Sequence, residues 1–333
     1  MNITKKLLLL LFVTGLVFTA CKKNVSDDKD KTLNDTTATT SNDTSVSINL
    51  NSPVADEKIL LRFQPVVGTT YIVESNVNST MSEAQDTFKI SYKSNKFGKV
   101  SLRILSKENT DYKMEFILKD VRETIKADTS TIEYKYGKAL ADPQADINRK
   151  IEDCLVNSPL TIMMSGAGEA TDIRGYEGII AKVKAIVGQN IDDNMIAAQL
   201  GTPTETLENY FINYPDSAVK IGESWDLTVA SQMQGVPIVL INTYTLADRK
   251  NGVAFINFRT DIEIDKSQIP AEVAAQMSNI KFDAYIKGTG EVDEKTGWPK
   301  VIKVTQSVEL SDSFEGHVTS SKQYSTSVIK WVQ

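Results

Sequence analysis

Apolar and polar residues alternate over several long stretches in the first and last thirds of the folded part of this chain. The alternation is clear between 113 and 119, where Met114, Phe116 and Leu118 are separated by charged residues, and again between Val253 and Ile264. Successive side chains of a strand point to opposite faces, so a period of two predicts strands with one buried and one solvated face. Such strands are typical of antiparallel sheets.

The period changes to that of a helix in the middle of the chain. Apolar residues recur at helical spacing between Ile179 and Val187, and Gly188 provides a C-terminal stop. Thr202-Pro203-Thr204-Glu205 has the form of a capping box with proline at the first helical position, which predicts another helix. A short helix is predicted over 193–200. The residues just before these helices, 160–173, predict a hairpin around a Ser-Gly-Ala-Gly turn.

These patterns together predict an α+β fold. We expect mainly antiparallel, curved β-sheets that pack against a helical segment of two to three helices in the middle of the chain, with one more short helix over 270–277. Gly68-Thr69-Thr70-Tyr71 and Gly222-Glu223-Ser224-Trp225 each place two polar residues between a glycine and an aromatic residue at the start of a strand region. This similarity leaves two interpretations open, a duplication of β-rich halves or chance.

The first twenty residues have the layout of a secretory signal. Lys5 and Lys6 precede an uncharged apolar run, and small residues follow up to Cys21. The apolar run is shorter than the roughly 20 residues that a membrane-spanning helix needs. Phe18-Thr19-Ala20-Cys21 resembles the lipobox of bacterial lipoproteins. The resemblance implies that Cys21 becomes the first residue and carries lipid on its thiol and amine.

A lipid anchor would place the protein in the cell envelope. Lys22 follows Cys21 directly, where some lipoproteins carry the aspartate that retains them at the inner membrane, so the resemblance favours the outer membrane. It leaves open whether the body faces the periplasm or the outside.

A polar tether follows the predicted anchor. Residues 24–52 are dominated by Ser, Thr, Asn and Asp and contain no aromatic residue. Such a segment cannot bury enough apolar surface to offset its conformational entropy, so we expect it to be disordered. The predicted organisation is therefore a signal peptide (1–20), a lipidated cysteine with its tether (21–56) and an α+β body (57–333), in which β-rich halves (57–157 and 216–333) flank a helical segment (158–215).

Composition and motifs narrow the possible chemistry. The chain has 43 acidic and 37 basic residues and a net charge of −6, which argues against nucleic acid as a partner. One histidine and two cysteines make a zinc site improbable on donor count alone, and Cys154, among apolar neighbours, is predicted to be a buried small residue. Lys295-Thr296-Gly297 resembles a motif of penicillin-binding serine enzymes, but the Ser-Asp-Asn motif of that family is absent, and a hairpin turn is the better interpretation. We therefore expect no enzyme activity, no metal and no cofactor.

The body also resembles a family of uncharacterised Gram-negative envelope lipoproteins, classed as a domain of unknown function. The resemblance rests on the lipobox, the tether, the Gly-x-x-Trp opening and the late hairpin Gly288-Thr289-Gly290-Glu291-Val292-Asp293 with Gly297. It implies no known activity and no particular ligand-binding residues. Two functions remain: a carrier that binds an apolar ligand such as lipid on one face of the sheet, or a structural or assembly partner of an outer-membrane protein complex.

Overall fold

The computed structural model describes residues 57–85, 88–127, 130–188, 193, 196, 210–233, 236–268, 281–314 and 317–332. The predicted signal peptide, Cys21 and the tether lie outside these residues, as do most of 193–200, the capping box and 270–277. The strands are β1 (Thr70–Gln85), β2 (Phe88–Glu108), β3 (Asp111–Ala127), β4 (Ser130–Lys135), β5 (Pro159–Met164), β6 (Ala170–Arg174), β7 (Ser224–Met233), β8 (Val236–Lys250), β9 (Val253–Ile264), β10 (Lys281–Asp293), β11 (Pro299–Phe314) and β12 (His317–Val332). The helices are α1 (Pro143–Asp153) and α2 (Tyr176–Val187), with a short 3-10 helix at Lys266–Gln268.

The predicted α+β class is wrong, because the described part of the chain is mainly β. Twelve strands form one large antiparallel sheet, and the described residues contribute only α1 and α2 as α-helices. The strands are longer than the sequence pattern indicated: β2 alone spans 21 residues. Glycines and polar runs lie inside continuous strands, as Phe97-Gly98-Lys99 does in β2. The predicted hairpin at 160–173 is confirmed as β5 and β6.

The two ends of the described chain meet in the middle of the sheet. The strand order is β6-β5-β3-β2-β1-β12-β11-β10-β9-β8-β7, and β4 pairs with β3. β1 and β12 pair from Ile72 opposite Val332 to Gln85 opposite Thr319. The two β-rich regions are thereby joined into one continuous sheet.

The two helices begin and end at local signals. Asp142 caps α1, since its side chain accepts a hydrogen bond from the Ala145 N–H, and Pro143 occupies the first turn, where a missing N–H costs little. α2 ends at Gly188, whose φ of 107° is readily adopted only by glycine. The sequence pattern predicts α2 but does not predict α1. No helix among the described residues meets the length and apolar content that a membrane crossing requires.

The main core covers one half of one sheet face. We call this face, which carries Val73, Leu102 and Ile256, the inner face, and the half near the start of β1 the proximal half. Segments 57–69 and 210–222 lie over it with α2, and Phe63 is fully buried there. Phe63 stacks on Trp298 at 5.2 Å between ring centroids, and Trp298 meets Trp331 edge to face at 4.5 Å. Aromatic packing therefore fills the proximal half.

Candidate functional site

A row of polar side chains crosses the inner face at mid-sheet. Strand register places these residues next to one another on successive strands, with only Ile286 interrupting the row between β9 and β11. The Thr260 hydroxyl donates to Asn242 Oδ1 at 2.6 Å. We call these residues the polar row: Asn242, Thr260, Gln306, Ser325, Ser79 and Ser94.

Beyond the polar row, the inner face of β8–β11 becomes apolar again. In each of the strand pairs β8–β9 and β10–β11, two successive inward register positions carry only apolar side chains, beyond the point where the β9–β10 ladder ends at Asp261 and Tyr285. Three of them form a hydrophobic cluster that is separate from the main core, with exposed fractions of 1% at Ile238, 6% at Leu240 and 9% at Ile262. Exposure increases along the patch to 37% at Leu310 on β11. We call this surface the distal patch; it consists of Ile238, Leu240, Ile262, Ile264, Phe282, Ala284, Val308 and Leu310.

The Gln306 amide lies in the polar row next to the distal patch. Its Nε2 atom is buried and has no hydrogen-bond partner among the described residues. A buried donor without a partner costs about 1–3 kcal/mol. Gln306 therefore offers an unused hydrogen-bond donor between the aromatic core and the distal patch.

A lysine and a glutamate lie on β2 and β3, next to the end of the polar row at Ser94. Lys96 and Glu123 face each other across the two strands, and Ser94 Oγ donates to Glu123 Oε1 at 2.5 Å. Burial, the largest influence, lowers the pKa of Lys96, but the carboxylates of Glu152 and Glu123 outweigh it and raise the pKa above its ordinary value. Lys96 therefore keeps its positive charge at neutral pH.

Cys154 does not have the surroundings of a catalytic thiol. It is 8% exposed, and its Sγ donates to the Lys150 carbonyl at 3.3 Å. Burial raises the pKa of its thiol, which lowers the thiolate fraction. The prediction that Cys154 is a buried small residue is confirmed. Within the described ranges, no three His, Cys, Asp or Glu side chains are grouped so that they could hold a metal ion.

The structure also locates a group of aromatic residues and the predicted Lys295-Thr296-Gly297 turn. Tyr210, Phe211 and Tyr214 are buried in the main core. Lys295-Thr296-Gly297 forms the turn between β10 and β11, where Asp293 Oδ1 accepts hydrogen bonds from the Thr296 N–H and hydroxyl. The predicted lipidation site, Cys21, lies outside the described residues.

Sequence reasoning missed the polar row and the distal patch. Each polar-row residue looks like an ordinary interruption of its own strand pattern, and only the pairing register aligns these residues. The run of apolar inward positions in Ile238, Leu240, Ile262 and Ile264 was the available signal, but it did not show which strands were neighbours.

Comparisons with solved structures give weak likenesses. The lipovitellin structure titled "Lipid-protein interactions in lipovitellin" has a TM-score of 0.45 at 12% identity, and the match covers 80% of this chain but 25% of the lipovitellin chain. OccK5 from Pseudomonas aeruginosa has a TM-score of 0.22 at 9% identity, with 79% of this chain and 98% of that chain covered. An outer membrane channel from Pseudomonas putida F1 also has a TM-score of 0.22, at 8% identity, with 86% and 100% covered. At these scores the likeness says nothing about what this chain binds.

Family membership is clearer than these structural likenesses. No curated protein matches the sequence. Residues 109–299, more than half of the chain, match the model described as "Family of unknown function (DUF6263)", and the protein belongs to that family.

Proposed function

We propose that the protein is a lipid-anchored envelope protein whose sheet binds the apolar part of a lipid-like ligand on the distal patch. One observation carries the proposal: the inner face becomes apolar a second time, beyond a polar row that separates it from the core. The β8–β9 part of the distal patch is already buried, whereas its side chains on β10 and β11 are partly accessible, with Leu310 37% exposed.

The dimensions of the distal patch suit an extended hydrocarbon chain. Within each of the pairs β8–β9 and β10–β11, the strands are about 4.8 Å apart, so the apolar side chains of a pair lie side by side. Burial of about five methylene groups there would contribute about 4 kcal/mol before the costs of association are subtracted. The patch thus suits modest, reversible binding.

The polar row would contact the polar end of an amphiphilic ligand whose hydrocarbon chain lies on the distal patch. Gln306 Nε2 is an unused donor, whereas the Asn242 amide in the same row already donates to the Leu227 carbonyl and accepts from Thr260. A ligand with a carbonyl or hydroxyl oxygen at one end of its hydrocarbon chain would accept a hydrogen bond from Gln306 and remove its desolvation cost.

The anchor part of the proposal rests on the sequence alone. Phe18-Thr19-Ala20-Cys21 supplies the lipidation signal, and the long polar segment after it would keep the sheet close to a membrane without fixing its orientation. A carrier held in this way would exchange its ligand with nearby lipid.

Native mass spectrometry and a binding assay with a fluorescent fatty acid would test the proposal. We expect the purified full-length protein to bind the fatty acid, and the double variant V308S/L310S to bind it about tenfold more weakly, a loss of about 1.4 kcal/mol. The matched control is V239S/I241S, which removes two aliphatic side chains from the opposite face of β8. Equal binding by both double variants, or no binding by the parent protein, would refute the ligand site.

A second candidate, an assembly partner, is favoured by the edge of the sheet. Among the described residues β7 pairs only with β8, so one side of a ten-residue strand is available for another protein to add a strand. Cross-linking in intact cells from a photoreactive residue at Thr228 would test this. Reproducible capture of one envelope protein would support the partner function, and capture of nothing would count against it.

A further inference from the structure

The outer face of the sheet, opposite the proposed ligand site, carries an open groove of about 520 Å³ across β3, β2, β1 and β12. Its walls consist of lysine, asparagine and threonine side chains, with Tyr324 at one end. Tyr324 is 43% exposed, which is high for a large aromatic residue on a sheet. The groove therefore combines a few amide, hydroxyl and ammonium groups with the aliphatic parts of the same side chains and one accessible aromatic ring.

Two lysines face each other in this groove. Lys93 on β2 and Lys126 on β3 are direct cross-strand partners, and like charges in this arrangement are destabilising. Neither lysine forms an ion pair within the described ranges. The carboxylate nearest in register, Glu133 on β4, stands opposite Thr124 rather than opposite Lys126.

Two other lysines on the same face are compensated. Lys322 pairs with Glu309 at 2.9 Å, and Lys99 pairs with Glu74 at 3.0 Å. The protein as a whole is acidic, with a net charge of −6. The positive charges of Lys93 and Lys126 at this groove complement an anionic ligand.

The rest of the groove suits hydroxyl groups and a sugar ring. Asn95 Nδ2 donates to Asn78 Oδ1 at 2.6 Å, which leaves the Asn78 nitrogen and the Asn95 oxygen available to a ligand among the described contacts. Amides paired in this way offer a donor and an acceptor side by side. Tyr324 presents an apolar ring with a polar tip, a surface on which the C–H face of a sugar can stack.

We propose that this groove binds an anionic saccharide, with Lys93 and Lys126 on its carboxylate or phosphate groups, the Asn78–Asn95 pair on its hydroxyls and Tyr324 beneath a ring. The site is separate from the distal patch, because the two lie on opposite faces of the sheet. A protein with both sites would bind an apolar molecule on one face and an envelope glycan on the other.

Calorimetric titration of the full-length protein with trigalacturonate tests the proposal, with neutral maltotriose and inorganic phosphate as comparison ligands. We expect trigalacturonate to bind more tightly than either comparison ligand. Binding should weaken about tenfold in K93Q/K126Q and several-fold in Y324S, while Y324F binds like the parent.

The matched control is K303Q/K330Q, which removes two exposed lysines from the same face outside the groove and should change binding by less than about twofold. Equal affinity for phosphate and trigalacturonate would overturn the saccharide assignment. Equal weakening by the two double-lysine variants would overturn the site, and so would binding of trigalacturonate no tighter than that of maltotriose.

Discussion

Gly288 and Gly290 of β10 provide the sharpest test of how closely the inner face is packed. A Cβ atom added at Gly288 would lie closer than 3.0 Å to the backbone oxygen of Lys303 and to the ring of Phe258, a spacing that real Cβ atoms essentially never show. The Lys303 oxygen belongs to the paired strand β11 and cannot move without distorting the ladder. We expect Gly288→Ala to cost about 3 kcal/mol, at the upper end of the usual range for overpacking.

Two other glycine-to-alanine changes provide comparisons for the destabilisation expected of Gly288→Ala. At Gly290 the added Cβ meets the Cδ1 end of Ile212, a flexible side chain that can turn away, so Gly290→Ala should cost only about 1 kcal/mol. At Gly178 in α2 no atom lies within 4 Å, and Gly178→Ala should stabilise the protein by about 0.5 kcal/mol because alanine lowers the entropy of the unfolded chain.

Urea unfolding, followed by circular dichroism at pH 7, measures all three variants. The expected order of midpoints is Gly178→Ala above the parent, the parent above Gly290→Ala, and Gly288→Ala lowest. A midpoint for Gly288→Ala equal to or above that of Gly290→Ala would refute the reasoning, because backbone contact would then cost no more than side-chain contact.

Three further predictions concern ion pairs and the anchor. Arg249, with 8% of its side chain exposed, makes two hydrogen bonds to Glu294 at 3.0 and 3.1 Å. Because Arg249→Met would leave the Glu294 carboxylate without this partner, it should lower the free energy of unfolding by about 3 kcal/mol in urea titrations. An unchanged midpoint would contradict this. The hydrogen bond from the Leu140 N–H, together with Arg149 and Lys150, lowers the pKa of Asp146 well below its ordinary value of 3.8. The ionised Asp146 carboxylate stabilises the fold fully above pH 3.8, and this stabilisation is lost as the pH falls below 3.8 towards the lowered pKa. The urea midpoints of Asp146→Asn and the parent should therefore differ at pH 7 and converge towards pH 2. A difference that stays constant with pH would argue against this linkage. Cys21→Ser should move the protein from the membrane to the soluble fraction, and continued membrane attachment would refute lipidation.

The local structure was largely predictable from the sequence. Alternation in 113–119 and 253–264 predicted β3 and β9, because one face of each strand is buried and the other is wet. The period-3.6 run ending at Gly188 predicted α2. α1 was missed, since Ile147 and Ile151 are its only large apolar residues. The Asp142-Pro143 cap was its available signal.

The fold class and the candidate sites were not predictable in the same way. A period of two fixes which side of a strand is buried but carries no information about which strands are neighbours. The pairing of Thr80 with Tyr324 joins residues far apart in the sequence. The polar row, the distal patch and the lysine groove all depend on such pairings. The predicted balance of helix and sheet was wrong because long strands such as β2 include polar residues that are typical of loops.

The central position of β12 has a consequence for how this chain is made. The last described strand lies between β1 and β11, so a ribosome must synthesise the chain through β12 before the middle of the sheet can form. Until then β1 and β11 expose unpaired edges, the feature that promotes aggregation in slowly maturing β proteins. A chain truncated before 317 should therefore depend strongly on holdase chaperones and be removed quickly by quality-control proteases.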